Sequence, residues 1–198
     1  MLSANAAEPL FSEDFSKTEP GKLPEPLLRL DGDFVVKEEA GNRFLELPGS
    51  PLDSFGVMFG PGRKENWGAQ ARILGTAQGR RFPVFGVSIN TVGGYRVQVA
   101  PAKKLIELLK GDDTVATASF TWESGSWTQV RVQIRKSTDG KWRVEGKAWK
   151  DGSPEPAAWG ISWEESEVPV TGRAAVWGQP FSGTPLRFDD LKVVAASE

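Results

Sequence analysis

The chain contains no cysteine and no histidine among its 198 residues. Without these two residue types it has no disulfide, no iron–sulfur cluster, no zinc site of the usual kind and no Ser-His or Cys-His nucleophile pair. Any catalysis must therefore use carboxylates, lysine, arginine, tyrosine or hydroxyl groups. The absence of cysteine leaves the cellular compartment open, because exported proteins need not contain disulfides.

Net charge and long apolar runs are also lacking. The 24 Lys plus Arg residues nearly balance the 26 Asp plus Glu residues, which leaves a net charge of −2. This balance argues against a protein that grips nucleic acid or an anionic membrane through bulk charge. No stretch reaches the roughly 18–20 consecutive apolar residues of a membrane-spanning helix. With 39% hydrophobic residues, the chain has the composition of a globular domain that can bury a core.

The amino end carries a short segment of small residues. Ala4-Asn5-Ala6 matches the cleavage pattern of a secretory signal, but no basic and apolar segment precedes it. Two interpretations stay open: the remnant of an export signal whose start lies upstream, or a tail in which alanines fell at this spacing by chance. We predict a disordered tail over residues 1–9 and a single domain over residues 10–196, since no linker or repeat divides the rest.

Alternating apolar and polar residues predict β-strands along most of the chain. Within residues 129–135, Val and Ile alternate with Gln and Arg, which places the apolar side chains on one face. Residues 85–90 and 95–99 show the same alternation on either side of a glycine turn, which predicts a hairpin. A second hairpin is predicted between residues 129–135 and 141–149. Further strands are predicted at residues 34–36, 44–47, 69–74, 115–120, 174–177 and 186–194.

Residues 101–110 fit two kinds of secondary structure. Three leucines between positions 105 and 109 have helical spacing, and Pro101 and Gly111 stand where a helix would start and stop. A strand is the preferred interpretation because the rest of the chain is rich in strands. About a dozen strands without long helices must close into a barrel or pack face to face, since each sheet has one apolar face to bury. Their number favours an all-β sandwich of two antiparallel sheets.

Several segments, taken in order, resemble a known family. They are LFSEDF at residues 10–15, DGDFVV at 31–36, FLEL at 44–47, WTQVRV at 127–132, AWKDG at 148–152, GRAAV at 172–176 and FDDLKV at 188–193. The order resembles the laminin-G-like domains of bacterial exported proteins, in the concanavalin A-like lectin/glucanase superfamily, with a distant likeness to family 16 glycoside hydrolases and 3-keto-disaccharide hydrolases. The resemblance implies an antiparallel two-sheet jelly roll, one sheet concave on its outer face, and a secreted or periplasmic protein that handles polysaccharide or glycan.

A catalytic strand of the family 16 type is not present. Such enzymes carry Glu, then Asp two positions on, then a second Glu, so that a period of two directs all three carboxylates into one groove. No Glu in this chain is followed two residues later by Asp. The nearest acidic cluster, residues 164–167, follows Trp163 in what we interpret as a solvated charged loop. Carboxylates from separate strands remain the alternative source of glycoside hydrolysis.

Aromatic and planar polar side chains are candidates for binding sugar. Aromatic rings stack on the C–H face of a pyranose, and planar polar groups hydrogen-bond its hydroxyls. The chain has eight Trp and one Tyr, and the stacking candidates are Trp67, Tyr95 and Trp177. The polar candidates stand on the outward faces of predicted strands: Ser88, Asn90, Arg96, Gln98 and Arg131. The alternative is that these polar residues are only the solvated face of a sandwich.

Four carboxylates near the two ends of the domain are candidates for a structural Ca²⁺ site. Calcium prefers carboxylate and carbonyl oxygens, and the resemblance implies that the first and last strands are neighbours. The candidates are Glu13, Asp14, Asp189 and Asp190. The alternative is that they are solvent-facing acids, or that Asp190 holds a turn or bulge through backbone amides.

Three functions fit these observations. We favour an exported carbohydrate-binding, lectin-like domain without an evident catalytic site. The second is a glycoside hydrolase whose carboxylates come from separate strands. The third is a structural interaction domain of a cell-surface assembly, in which no sugar is involved.

Overall fold

The computed structural model describes residues 8–91 and 93–197. Within these residues the chain forms fifteen β-strands and a 3-10 helix, η1 (Pro101–Lys103). The strands are β1 (Phe11–Glu13), β2 (Leu28–Asp31), β3 (Val35–Glu39), β4 (Asn42–Leu47), β5 (Phe55–Arg63), β6 (Trp67–Leu74), β7 (Val84–Thr91), β8 (Tyr95–Ala100), β9 (Leu105–Lys110), β10 (Asp113–Ser119), β11 (Trp127–Lys136), β12 (Trp142–Lys150), β13 (Ile161–Glu165), β14 (Gly172–Gln179) and β15 (Leu186–Ala195).

The strands form two antiparallel sheets that stack on each other. Sheet A has the order β13-β12-β11-β6-β15-β4-β3, and β1 also pairs with β15. Sheet B has the order β10-β9-β8-β7-β14-β5-β2. At least half of the neighbouring strand pairs in each sheet are distant in sequence, as crossovers between the sheets require. The predicted all-β fold, an antiparallel two-sheet jelly-roll sandwich, is confirmed.

The core lies between the sheets and is built from the apolar half of each alternating strand. Val132 and Ile134 of sheet A are fully buried, as are Val87 and Val97 of sheet B. Burying a side chain of this size stabilises the fold by about 1.5–3 kcal/mol. The alternate residues point away from the core, so each sheet presents an outer face of polar and aromatic side chains. These two outer faces hold most of the binding candidates.

The segment 101–110 contains a strand, as preferred from the sequence. After the 3-10 turn, Lys104 adopts a left-handed conformation and β9 begins at Leu105. Ile106 and Leu108 face the core, while Leu109 packs on the outer face of sheet B and is also buried. Because β9 has apolar residues on both of its faces, its leucines have a spacing in the sequence that also fits a helix.

Four strands were not predicted: β1, β2, β5 and β13. In β5, glycines at positions 56, 60 and 62 interrupt the alternation on which strand prediction depends. In β13, the acidic residues Glu164 and Glu165 suggested a loop, and that assignment is wrong because both pair with β12. Glu165 is only 1% exposed, so its charge wrongly suggested a solvent-exposed position.

The two ends of the described chain meet in sheet A. Phe11 pairs with Val193 and Glu13 with Leu191, which makes the first and last strands neighbours. In the described part of the chain, no helix has the length and apolar character needed to cross a membrane. The Ala4-Asn5-Ala6 motif and most of the predicted tail lie outside the described residues.

Candidate functional site

A groove on the outer face of sheet B collects four of the candidate residues. In the register of β14, β7 and β8, Trp177 lies opposite Gly86, and Ser88 opposite Arg96. Gln98 stands on the same face, two residues along from Arg96. The groove contains a cavity of about 440 Å³, which is within the usual range of small-ligand sites. Its wall includes Leu30, Ser88, Arg96, Asp112 and Trp177.

Trp177 is held in a fixed position in this groove. Its indole lies against Gly56 of β5, where an added Cβ would come within 2.8 Å of a ring atom. The indole Nε1 donates a hydrogen bond of 2.6 Å to Ser88 Oγ. The ring is half-buried and lines the cavity, so it is an aromatic surface whose orientation the protein has already set.

Arg96 lies beside this ring. Its guanidinium carbon is 5.6 Å from the centroid of the Trp177 ring, a distance at which a cation is attracted to an aromatic face. Burial lowers the pKa of Arg96, and the nearby charges of Asp112 and Glu107 offset this only in part. The guanidinium is therefore a partly desolvated cation in a cavity wall.

Gln98 belongs to a hydrogen-bonded group on the side of Arg96 away from Ser88. Its amide donates to Glu107 over 2.8 Å, and Lys103 Nζ donates to the same carboxylate over 2.8 Å. Burial opposes ionisation of Glu107, but the hydrogen bonds from Lys103 and Gln98 outweigh it, so the pKa of Glu107 is lowered. This group holds Gln98 in position and satisfies the charge of Glu107 within the protein.

The edge of sheet B next to Trp177 is apolar. Leu28 and Leu30 of β2 are 51% and 38% exposed, and Leu30 lines the same cavity as Trp177. An exposed apolar strip beside a half-buried indole is suited to the C–H faces of a ligand. Leu30 and Asp112 were not among the sequence candidates, since only the strand order brings them to Arg96.

Three sequence candidates have structural roles instead. Trp67 is fully buried in the core, so its predicted exposure beside a loop is wrong. The Asn90 side chain is also fully buried, and it donates to the backbone carbonyls of Arg63, Lys64 and Val170. It ties β7 to two loops.

Tyr95 also faces inward. Its ring is 4% exposed, and its hydroxyl donates a 2.7 Å hydrogen bond to Glu165. Burial, followed by the contact with Glu165, raises the pKa of Tyr95. Tyr95 therefore lies at the base of the groove rather than on its surface and joins sheet B to β13 of sheet A.

Arg131 lies on the opposite side of the molecule, on the outer face of sheet A. It forms an ion pair of 2.8 Å with Glu155 and stacks at 5.4 Å on the ring of Trp159. Lys147 contacts the same carboxylate and the same ring, at 2.7 Å and 4.4 Å. The structure therefore separates Arg131 from the groove residues.

The four calcium candidates have protein partners. Glu13 accepts a hydrogen bond from the amide of Phe15, and Asp14 accepts one from the amide of Ser16. Asp189 and Asp190 lie 2.6 Å and 3.1 Å from the guanidinium of Arg72. Asp14, Asp189 and Asp190 line one polar cavity of about 470 Å³, which Arg72 also lines.

Arg72 supplies the positive charge that calcium was expected to bring. In the part of the chain that the structure describes, no group of three or more acidic residues is arranged to hold a metal ion. Burial raises the pKa of Asp189, although Asn42 and Arg72 favour its charged form. The donor set therefore fits an arginine-centred ion pair better than a calcium site.

Glu165 was considered above as an acid of the 164–167 cluster. Lys110 contacts both Glu165 and Glu167, at 2.9 Å and 2.6 Å. Burial opposes ionisation of Glu165, but the hydrogen bonds from Lys110 and Tyr95 prevail and lower its pKa. A general acid in glycoside hydrolysis needs a raised pKa, so this carboxylate has the opposite property.

Known proteins resemble the chain in fold but not in sequence. No family model matches it, and no curated protein matches its sequence. The carbohydrate-binding module CBM66 from Bacillus subtilis superposes with a TM-score of 0.61 at 8% identity, over 86% of this chain and 96% of that one. The carbohydrate recognition domain of Emp47p gives 0.59 at 10% identity, over the full length of both chains. The cellulose induced protein Cip1 gives 0.58 at 13%, over 95% of this chain and 100% of that one. The chain thus has the sandwich fold of these proteins.

Proposed function

We propose that this protein is a carbohydrate-binding domain and that the groove on the outer face of sheet B is its binding site. The observation that carries the proposal is Trp177, an indole fixed against Gly56 and Ser88 and half-exposed in a cavity. Two of the structural neighbours are named as a carbohydrate-binding module and a carbohydrate recognition domain, which supports the same class of ligand.

The physical basis is the pairing of an aromatic surface with fixed polar groups. A pyranose presents an apolar C–H face, which stacks on the indole, and hydroxyl groups at its edge. Because the Trp177 ring is already oriented by its hydrogen bond to Ser88, binding loses little side-chain entropy. Arg96 and the remaining hydrogen-bonding capacity of Gln98 supply the polar contacts. Leu30 extends the apolar surface for a neighbouring sugar unit.

The proposal includes the family resemblance of the domain and the cellular location of the protein. The laminin-G-like segments and the sandwich fold support a domain spanning residues 10–196 that acts outside the cytoplasm, in a secreted or periplasmic protein. Binding rather than cleavage is the favoured activity, since no Glu in the chain is followed two residues later by Asp, as the family 16 catalytic strand requires.

A glycan array, read beside a reducing-sugar release assay on the same panel, tests this function. Trp177→Ala is expected to weaken binding of any glycan captured by the wild type at least about tenfold, roughly 1.4 kcal/mol. Trp159→Ala is the matched control, because Trp159 is also half-buried beside cations but lies on the outer face of sheet A. Trp177→Phe, which keeps a ring but loses the bond to Ser88, should retain part of the affinity.

Each other outcome overturns part of the proposal. Equal losses in the two Trp→Ala variants would remove the groove as the site. Release of reducing sugar would identify a glycoside hydrolase instead. If the protein neither binds a glycan nor releases reducing sugar, a structural interaction domain would be favoured.

A further inference from the structure

Arg96 differs from the other half-buried arginines of this protein. The chain has seven of them, at positions 43, 72, 96, 131, 135, 173 and 187. Six bond to carboxylates or to backbone carbonyls. Among the described residues, Arg96 has no ion pair and no hydrogen bond. Its Nε is buried without an acceptor, as are those of Arg72 and Arg131, but the other guanidinium nitrogens of these two arginines bond to carboxylates. The guanidinium of Arg96 lies over the ring of Trp177.

An arrangement of this kind is unfavourable for the free protein. Burying a guanidinium donor without an acceptor costs free energy, because the donor loses its hydrogen bonds to water and gains none from the protein. The neighbours of Arg96 relieve this only in part, because Asp112 and Glu107 act on it through their charge and not through a hydrogen bond. Ser88 already accepts from Trp177, Leu109 has no polar side-chain atom, and Glu107 is bonded to Gln98 and Lys103. The guanidinium of Arg96 therefore lies in the groove wall with hydrogen-bonding capacity that no described protein group uses.

We propose that the acceptor is an anionic group carried by the sugar, so that the groove selects acidic glycans over neutral ones; this inference rests on the proposed function. The guanidinium carbon lies over the Trp177 ring, 5.6 Å from its centroid, so a sugar that contacts the remaining part of the indole at about 3.5–4 Å lies next to the guanidinium. An exocyclic acid group of that sugar is then within reach of Arg96. The planar guanidinium donates two parallel hydrogen bonds to a carboxylate or to a sulfate ester.

One residue opposes this preference and sharpens its test. Asp112 lines the same cavity and is exposed at its rim. Its negative charge repels an acidic ligand, although solvent and salt screen an exposed charge more than a buried one. Asp112→Asn should therefore favour acidic over neutral sugars further, whereas Arg96→Gln should abolish the preference.

The probes are matched pairs of sugars that differ only in charge. Trigalacturonate is compared with its trimethyl ester, and a sulfate ester of a neutral galactose disaccharide with its desulfated form, by calorimetry at about 0.1 M ionic strength. For wild type, the acid of at least one pair is expected to bind at least about tenfold more tightly than its neutral partner. In Arg96→Gln that ratio should fall to about one. Arg131→Gln, on the other sheet, is the control and should leave the ratio unchanged.

The two pairs separate the sources of the negative charge. A preference confined to the galacturonate pair identifies a carboxylate ligand, and one confined to the sulfated and desulfated galactose disaccharides identifies a sulfate ester. Melting curves accompany each variant. Because Arg96 has no acceptor in the free protein, Arg96→Gln is expected to keep or raise the melting temperature, so loss of binding cannot be attributed to unfolding.

The remaining outcomes overturn the inference in distinguishable ways. Equal binding of the acid and neutral probes, or an unchanged ratio in Arg96→Gln, refutes the acidic preference but leaves the carbohydrate-binding function standing. If the array glycans and all four probes fail to bind, both proposals fail. A ratio that falls equally in Arg131→Gln would move the anion site to sheet A.

Discussion

The outer faces of the two sheets have similar side chains but different electrostatics. On sheet A, Arg72, Arg131 and Arg187 each lie within 3.5 Å of at least one carboxylate. On sheet B, Arg96 has an aromatic ring beside it and no carboxylate within ion-pair distance among the described residues. The arginines on the outer face of sheet A form ion pairs within the protein. On sheet B, Arg96 lines a cavity without such a pair among the described residues. A row of Arg and Gln on a strand is therefore not in itself a binding surface.

The difference comes from segments outside the central strands. Glu155, which pairs with Arg131 and Lys147, lies in the loop between β12 and β13. Near the carboxyl end, the side-chain amide of Gln133 makes two hydrogen bonds to the backbone of Ser197. The side-chain nitrogen of Gln133 donates to the Ser197 carbonyl oxygen, and the Ser197 N–H donates to the side-chain oxygen of Gln133. The groove of sheet B has no comparable cover among the described residues, and Gly93 and Gly111 at its end carry no side chain to fill it.

The largest expected effect tests the ion pairs on the outer face of sheet A. Arg72→Met removes the cation from Asp189, which is 1% exposed, and leaves a buried carboxylate without its ion pair. Breaking such a pair is expected to destabilise the fold by about 3–5 kcal/mol, measured by urea unfolding at neutral pH. The loss should shrink as pH falls from about 7 to 4, because Asp189 becomes protonated in the variant.

A second measurement on the outer face of sheet A tests whether Arg72 or a calcium ion balances the charge of Asp189 and Asp190. The wild-type melting temperature is expected to stay the same with excess EDTA and with added Ca²⁺, since Arg72 already compensates Asp189 and Asp190. A rise on adding Ca²⁺ would show that these carboxylates hold an ion, and the ion-pair account of sheet A would then be wrong.

The next effect tests the contact that joins the two sheets beneath the groove. Tyr95→Phe removes a donor from the buried Glu165, with an expected destabilisation of about 1–3 kcal/mol. Lys110 and the amide of Glu167 remain as its partners. The loss should be measured by urea unfolding, together with glycan affinity, because Tyr95 also lines the groove.

The pH dependence of this contact has a definite sign. The pKa of Glu165 is lower in the folded protein than in the unfolded chain, so its contribution to stability is present above the unfolded value of about 4.3 and is lost as pH falls through the folded value. Glu165→Gln should therefore be less stable than wild type at neutral pH, with the difference narrowing at acid pH. A difference independent of pH would contradict this assignment.

Sequence reasoning predicted the fold better than the site. The period of two identified most strands because burial imposes it directly, as at Val130, Val132 and Ile134. It could not distinguish Arg96 from Arg131, because both stand on the polar side of an alternating strand. Their difference depends on Glu155, which folding brings next to Arg131 and not next to Arg96. Trp67 misled for a related reason: adjacent loop residues do not reveal that the ring turns into the core.

The smallest effect tests whether the orientation of Trp177 is what distinguishes the sheet B face. Gly56→Ala adds a methyl group that would lie 2.8 Å from the indole, so the ring must move while its chemistry stays the same. Because the ring is only half-buried, the expected loss of stability is about 1 kcal/mol, the lower end of overpacking effects. The affinity for a captured glycan should fall several-fold, whereas Gly152→Ala, in a turn on the other side of the molecule, should leave it unchanged. A displaced ring that binds as well as the wild type would mean that the groove needs an aromatic surface but not a fixed one, and the contrast between the two faces would then rest on the unpaired charge of Arg96 alone.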